Sequence, residues 1–177
     1  LDYTDVDGNV FTASPWGTNN NNPRCVIDNE KRYTQDYRLT TSAYININLA
    51  KGLVFRSQNG FYVQYRDNNT YHNADAKSDG DANYALYTNR LRSDLLTENT
   101  LTYNGAWGDH EFGAMAGFTA NKIWLRTAGI KGTAFPTDFI PTINAATNIV
   151  IEENDGTRRT YTVHEEEMLL SVLARVN

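Results

Sequence analysis

From Tyr37 the chain alternates with a period of two. Leu39, Thr41, Ala43, Ile45, Ile47 and Leu49 fall on one side, and Arg38, Thr40, Ser42, Tyr44, Asn46 and Asn48 on the other. Successive side chains of an extended chain point to opposite faces, so this pattern predicts a long strand with one apolar and one polar face. Ala50, Lys51 and Gly52 form a tight turn, after which Leu53, Phe55, Phe61, Val63 and Tyr65 continue the apolar face opposite Arg56, Gln58, Gln64 and Arg66. Ser57 and Asn59 interrupt that face in mid-strand, which either weakens the strand pattern or marks a bulge.

The same grammar recurs further along. Leu95, Leu101 and Tyr103 alternate with Glu98, Thr100, Thr102 and Asn104, and Trp107, Gly108 and Asp109 reverse the chain. The return strand sets Phe112, Ala114, Ala116, Phe118 and Ala120 against Glu111, Gly113, Met115, Gly117, Thr119 and Asn121. A last strand sets Met168, Leu170, Val172, Ala174 and Val176 against Ser171, Arg175 and Asn177, with Leu169 and Leu173 breaking its polar face. No turn signal ends it, which predicts a strand that continues beyond Asn177. Five long strands are expected, near 37–49, 53–66, 95–106, 110–124 and 161–177, with residues 1–36 a polar, extracellular loop segment.

The connections alternate in length. Asp67 to Asp94 holds few aliphatic residues and predicts a long exposed loop, whereas Gly52 and Gly108 mark short turns. Leu125 to Thr160, with Pro136 and Pro141, predicts a second long connection, carrying a small hairpin of 148–152 and 159–163 around Asn154, Asp155 and Gly156. Short turns at one end and long loops at the other are the order of outer-membrane barrels. Strands of about 12 residues exceed the usual soluble length and match the roughly 9 to 11 tilted residues that cross a bilayer. Trp107 beside a short turn, with Tyr65 and Trp124 near the long loops, fits interfacial girdles.

Composition changes the picture in three places. The 177 residues allow one domain or part of one. A mean hydropathy of -0.57 and no apolar run of about 20 residues exclude a transmembrane helix but not a barrel, whose strands hide their lipid face in every second residue. A net charge of -5 argues against nucleic acid as a partner, and the single Cys25 allows neither an internal disulfide nor a thiolate metal cage.

Several short segments resemble a known family in its own order. They are Leu49-Ala50-Lys51-Gly52-Leu53-Val54-Phe55-Arg56-Ser57, then Glu98-Asn99-Thr100-Leu101-Thr102-Tyr103-Asn104, and Ala116-Gly117-Phe118. Phe135-Pro136-Thr137-Asp138, Pro141-Thr142-Ile143-Asn144-Ala145-Ala146, Leu170-Ser171 and Ala174-Arg175-Val176-Asn177 follow. Together, over roughly Tyr37 to Asn177, the sequence is similar to the barrel of SusC/RagA-type TonB-dependent transporters of the Bacteroidota outer membrane. The resemblance implies an antiparallel transmembrane β-barrel of about 22 strands around a plug, a SusD-like lipoprotein lid, energy from TonB, and import of oligosaccharides or peptides. No plug or TonB-binding segment is recognisable here, and five long strands are too few to close such a barrel, so a segment of a transporter is expected. The competing folds are a soluble β-sandwich binding or adhesion module and a small eight-stranded barrel using weak strands at Gly8 to Ala13 and Arg24 to Asp28.

No catalytic constellation is visible, and neither enzyme activity nor a cofactor is expected. His72, His110 and His164 lie far apart and in no zinc or serine-hydrolase spacing. Asp75, Asp79, Gly80 and Asp81 look calcium-like, but Lys77 and Leu86 stand where ligands should be. Glu165, Glu166 and Glu167 read as a solvated strand end, and Asn19 to Asn22 as loop. If the apolar faces meet lipid, Arg38, Tyr44, Asn46, Asn48, Arg56, Glu98, Thr102 and Asn104 face a lumen, Asn46 and Asn48 packing against a plug. Ligand contact is assigned to the first long connection, where Tyr71, Asn83, Tyr84 and Tyr87 combine aromatic faces with an amide suited to sugars or peptides.

Overall fold

The computed structural model describes residues 4, 7–8, 23–73 and 83–177. A short helix, α1 (Pro23–Asn29), leads into β1 (Glu30–Ala50), β2 (Leu53–His72), β3 (Tyr84–Trp107) and β4 (His110–Thr133). A 3-10 turn (Ile143–Ala145), β5 (Asn148–Val150) and β6 (Tyr161–Val176) follow. All six strands form one sheet in the order β1-β2-β3-β4-β5, with β6 also paired to β4, so the sheet is not closed. β5 runs antiparallel to β4 with Lys131 opposite Val150, and Gly113 and Asn177 exchange both main-chain hydrogen bonds between β4 and the end of β6 (3.2 and 2.8 Å). A sandwich would need a second sheet facing the first; the described strands supply none.

The strands outrun their apolar pattern. β1 begins at Glu30, β2 reaches His72 and β3 starts at Tyr84, so most of the expected loop from Asp67 to Asp94 is strand. Polar cross-strand pairs replace apolar ones there: Arg66 bonds Asp36 at 2.6 Å, and Asn68 bonds Thr88 at 3.3 Å. Arg24 to Asp28 is helix rather than weak strand. Pro23 has its ring-fixed φ at the first helical position, and Arg24 pairs with Asp28 one turn on at 2.6 Å. Gly8 to Ala13 beyond Gly8, Asn19 to Asn22, and Asp75, Asp79 and Asp81 lie outside the described residues. The turn at Asn154 to Gly156 forms as expected, with Gly156 N–H donating to Glu153 O at 2.9 Å and Glu152 bridged to Arg158. Trp124, expected at the end of its strand, lies within β4, which runs on to Thr133.

The chain divides into two compact units. The first (1–36, 66–89 and 127–162) owns the buried core: Tyr71, Ala85 and Phe135, with Ile143, Ala145 and Ala146 packed against them. Cys25 is also buried there, its sulfur receiving Asn29 Nδ2 at 3.4 Å. The second unit (37–65, 90–126 and 163–177) has no buried residue. Leu39, Ile45, Leu49, Phe112, Met168, Leu170 and Val172 stand exposed on its apolar faces. Its first turn depends on Gly52. φ there is +76°, and an added Cβ would lie 2.0 Å from the Asn104 carbonyl oxygen, whose own N–H donates to Gly52 O at 2.7 Å.

Candidate ligand site

The first unit is organised by the segment that follows β4. Ala134 takes a left-handed φ of 59° and turns the chain back over the sheet, its carbonyl accepting from Thr147 Oγ1 at 2.6 Å. The small residues Ala85 and Gly132 leave room for that segment. A Cβ on Gly132 would sit 2.5 Å from the Ala146 methyl.

Two of the four expected ligand residues hold this segment down. Tyr71 is 3% exposed; it meets Phe135 edge-on with centroids 5.1 Å apart, and its hydroxyl donates to Asp138. Burial first, then that hydrogen bond, pushes the phenol well above its ordinary range. Asn83 accepts from the Phe135 N–H and donates to the Phe135 carbonyl, both at 3.2 Å, and also donates to Asp138 at 3.3 Å. The polar groups of Tyr71 and Asn83 therefore engage the protein's own chain.

Tyr84 belongs to a second group. It stacks on His72 (4.6 Å, 23°), whose Nε2 lies 3.0 Å from Glu30, and Lys131 Nζ sits 4.6 Å from the Tyr84 ring centre. Lys131 also pairs with Glu153, which bonds Arg159 at 2.7 Å. The Lys131 bond foremost, and then Arg159, hold the Glu153 carboxyl below the usual range.

Tyr87 reaches the third feature, a cleft of about 430 Å³ in this same unit. Lys31 and Tyr33 of β1, Asn69 and Tyr71 of β2, and Pro141 and Ile143 line it too. Lys31, Tyr33 and Asp138 were missed in the sequence. Lys31 and Tyr33 lie in a stretch without apolar alternation, and the segment carrying Asp138 was flagged by Pro136, Pro141 and its family resemblance without singling out that carboxylate. Among the described residues no group of three or more His, Cys, Asp or Glu could hold a metal.

In the second unit two of the expected lumen residues, Arg56 and Tyr44, engage one another. Arg56 lies 4.8 Å over the Tyr44 ring and bonds Gln58 at 2.9 Å. On the apolar side of β4, Lys122 lies 4.8 Å over Trp124 and 3.4 Å from Glu166. Those groups follow directly on Ala120 and precede Met168, so charge and an aromatic ring end the apolar runs of two paired strands at one level.

This architecture has counterparts. A TonB-dependent receptor P39 of Formosa agariphila is 26% identical over 127 residues, covering 70% of this chain and 12% of that protein. The RagAB peptide importer in its closed-closed state superposes with a TM-score of 0.78 at 14% identity, over 99% of this chain and 19% of that one. The chain has the fold of a SusC/RagA-type barrel segment. The RagAB peptide transporter and the open-open state of the importer fit that segment at TM-scores of 0.67 and 0.65, each 14% identical and covering 96% of it. No family model matches the chain. The segment spans about an eighth of the curated relative and about a fifth of the solved chains.

Proposed function

We propose that the segment is part of the wall of a TonB-dependent nutrient importer of the outer membrane, working with a SusD-like lipoprotein and taking up oligosaccharides or peptides. The observation that carries this reading is the bounded apolar band of the second unit. On β4 it runs from Phe112 to Ala120 and on β6 from Met168 to Val176, nine positions each. At a rise of about 3.3 Å per residue and a tilt of about 40°, nine residues span about 23 Å, against an outward apolar band of about 25 Å in such barrels. Lys122, Trp124 and Glu166 close the band at one end, while Tyr103 and Phe112, 6.4 Å apart, close it at the other.

The names of the relatives support an importer driven through TonB: one is a TonB-dependent receptor, and the others are a peptide importer. The test is fractionation and uptake with the full-length protein in its native cells. The expected result is a heat-modifiable outer-membrane band that co-purifies a surface lipoprotein, with uptake of labelled oligosaccharide or peptide lost when TonB is deleted. A protein recovered in the aqueous fraction without detergent, or uptake indifferent to TonB, overturns the reading.

A further inference from the structure

The cleft of the first unit has a chemistry of its own. Rings of Tyr33, Tyr71 and Tyr87 line it together with the Asn69 amide and Lys31, and Pro141 and Ile143 bound it. Its volume of about 430 Å³ falls within the roughly 300 to 1,000 Å³ of small-molecule sites. Two observations narrow the occupant. Among the described strands β1 stands at the end of the sheet order, whereas β2 and β3 each have a neighbour on both sides, so over β2 and β3 the main-chain groups are used by the sheet and an extended peptide has no strand edge to pair with. Recognition there falls to ring faces and side-chain polar groups, which suits a sugar ring with its apolar faces and hydroxyl rim. The electrostatics are also one-sided. Glu30 and Arg32 line the cleft as well, but the Glu30 carboxylate is engaged by Arg32 at 2.8 Å and lies 3.0 Å from His72, whereas exposed Lys31 makes no ion pair among the described residues.

We propose that this cleft binds a pyranose carrying an anionic group, a uronate carboxylate or a sulfate ester. Tyr33 and Tyr87 supply stacking faces, Asn69 hydrogen-bonds a ring hydroxyl, and Lys31 receives the anion. The inference deepens the importer reading and rests on it for the route by which the sugar arrives.

The test uses the full-length importer, purified in detergent, and calorimetric titration with four probes: a uronate trisaccharide, a sulfated galactose trisaccharide, a neutral trisaccharide and a tripeptide. At least one acidic sugar binds more tightly than the neutral one, and which of the two does so identifies the source of the charge. Lys31→Gln, at an exposed position, weakens the acidic sugar about tenfold and leaves the neutral one unchanged; Tyr87→Ala weakens both about tenfold. Equal binding of acidic and neutral sugars, acidic binding that neither variant alters, or Lys31-dependent binding of the tripeptide alone overturns the proposal. The two readings fail separately. Lys31-dependent binding with uptake indifferent to TonB sinks the importer and keeps the cleft; TonB-dependent uptake with normal binding by both variants sinks the cleft and keeps the importer.

Discussion

The two units are built from the same long strands but satisfy different solvents. The first buries Tyr71, Ala85 and Phe135 beneath a segment of its own chain, as a water-soluble domain does. The second buries nothing, and sets Leu39 and Ile45 at 59% and 55% exposure on an apolar face. In water that face would be a large unpartnered patch of the kind that drives association. Under the importer reading, the hydrocarbon of the bilayer covers it, and the unit needs no core of its own.

Substitutions can sharpen or break that contrast. The largest effect is expected from Phe135→Ala, which removes the ring under which Tyr71 packs. Core truncations of this size cost about 3 to 5 kcal/mol, and hydrogen exchange should show amides of 134–147 losing protection while those of 110–120 keep theirs. Ile45→Arg comes next. A cation near the middle of a lipid-facing strand costs about 2 to 4 kcal/mol, whereas Ile27→Arg, at 73% exposure in the first unit, should stay within about 0.5 kcal/mol. Equal, small effects of the two, read as shifts in the urea midpoint of the folded barrel, would mean that lipid does not cover the second unit.

Smaller still is Ala134→Gly. It relieves a left-handed backbone and should strengthen the first unit by up to about 1 kcal/mol, visible as slower exchange of the Thr147 amide. The smallest effect is the acid response of the hairpin around Glu153. Its folded carboxyl is depressed by Lys131 and Arg159, so the folded state binds its proton more weakly than the unfolded chain does. The resulting stability is complete above the ordinary carboxyl value of about 4.3 and drains away as pH falls through the lower folded value. Protection of the Gly156 and Arg159 amides should be flat from neutral pH to about 5, then decline, and Glu153→Gln should abolish that decline.

The difference between the units also governs what could be read from the amino acids. Where the protein leaves one apolar face uncovered, alternation is strict, and the strands from Leu39 to Leu49 and from Phe112 to Ala120 were plain. Where the protein covers itself, the rule changes. Asp67 to His72 and Tyr84 to Asn89 stay extended through polar pairs and a few interior contacts that leave no period in the sequence. For the same reason Tyr71, expected on a loop, lies on a strand, where its hydroxyl donates to Asp138 while the residue meets Phe135 and lines the cleft. Tyr87 does line a cleft, but Lys31 and Tyr33 beside it come from a stretch more than fifty residues away, and only the strand pairing brings them near.

The burial of Cys25 has a practical corollary. The residue is 2% exposed and its sulfur is held by Asn29, so within this segment the single native thiol is shielded from reagents. Cysteines introduced one at a time along β1 or β6 can then be probed with a membrane-impermeant maleimide without labelling of the segment's own thiol. The resulting ladder of labelled and protected positions would draw the edge of the bilayer on the strands residue by residue.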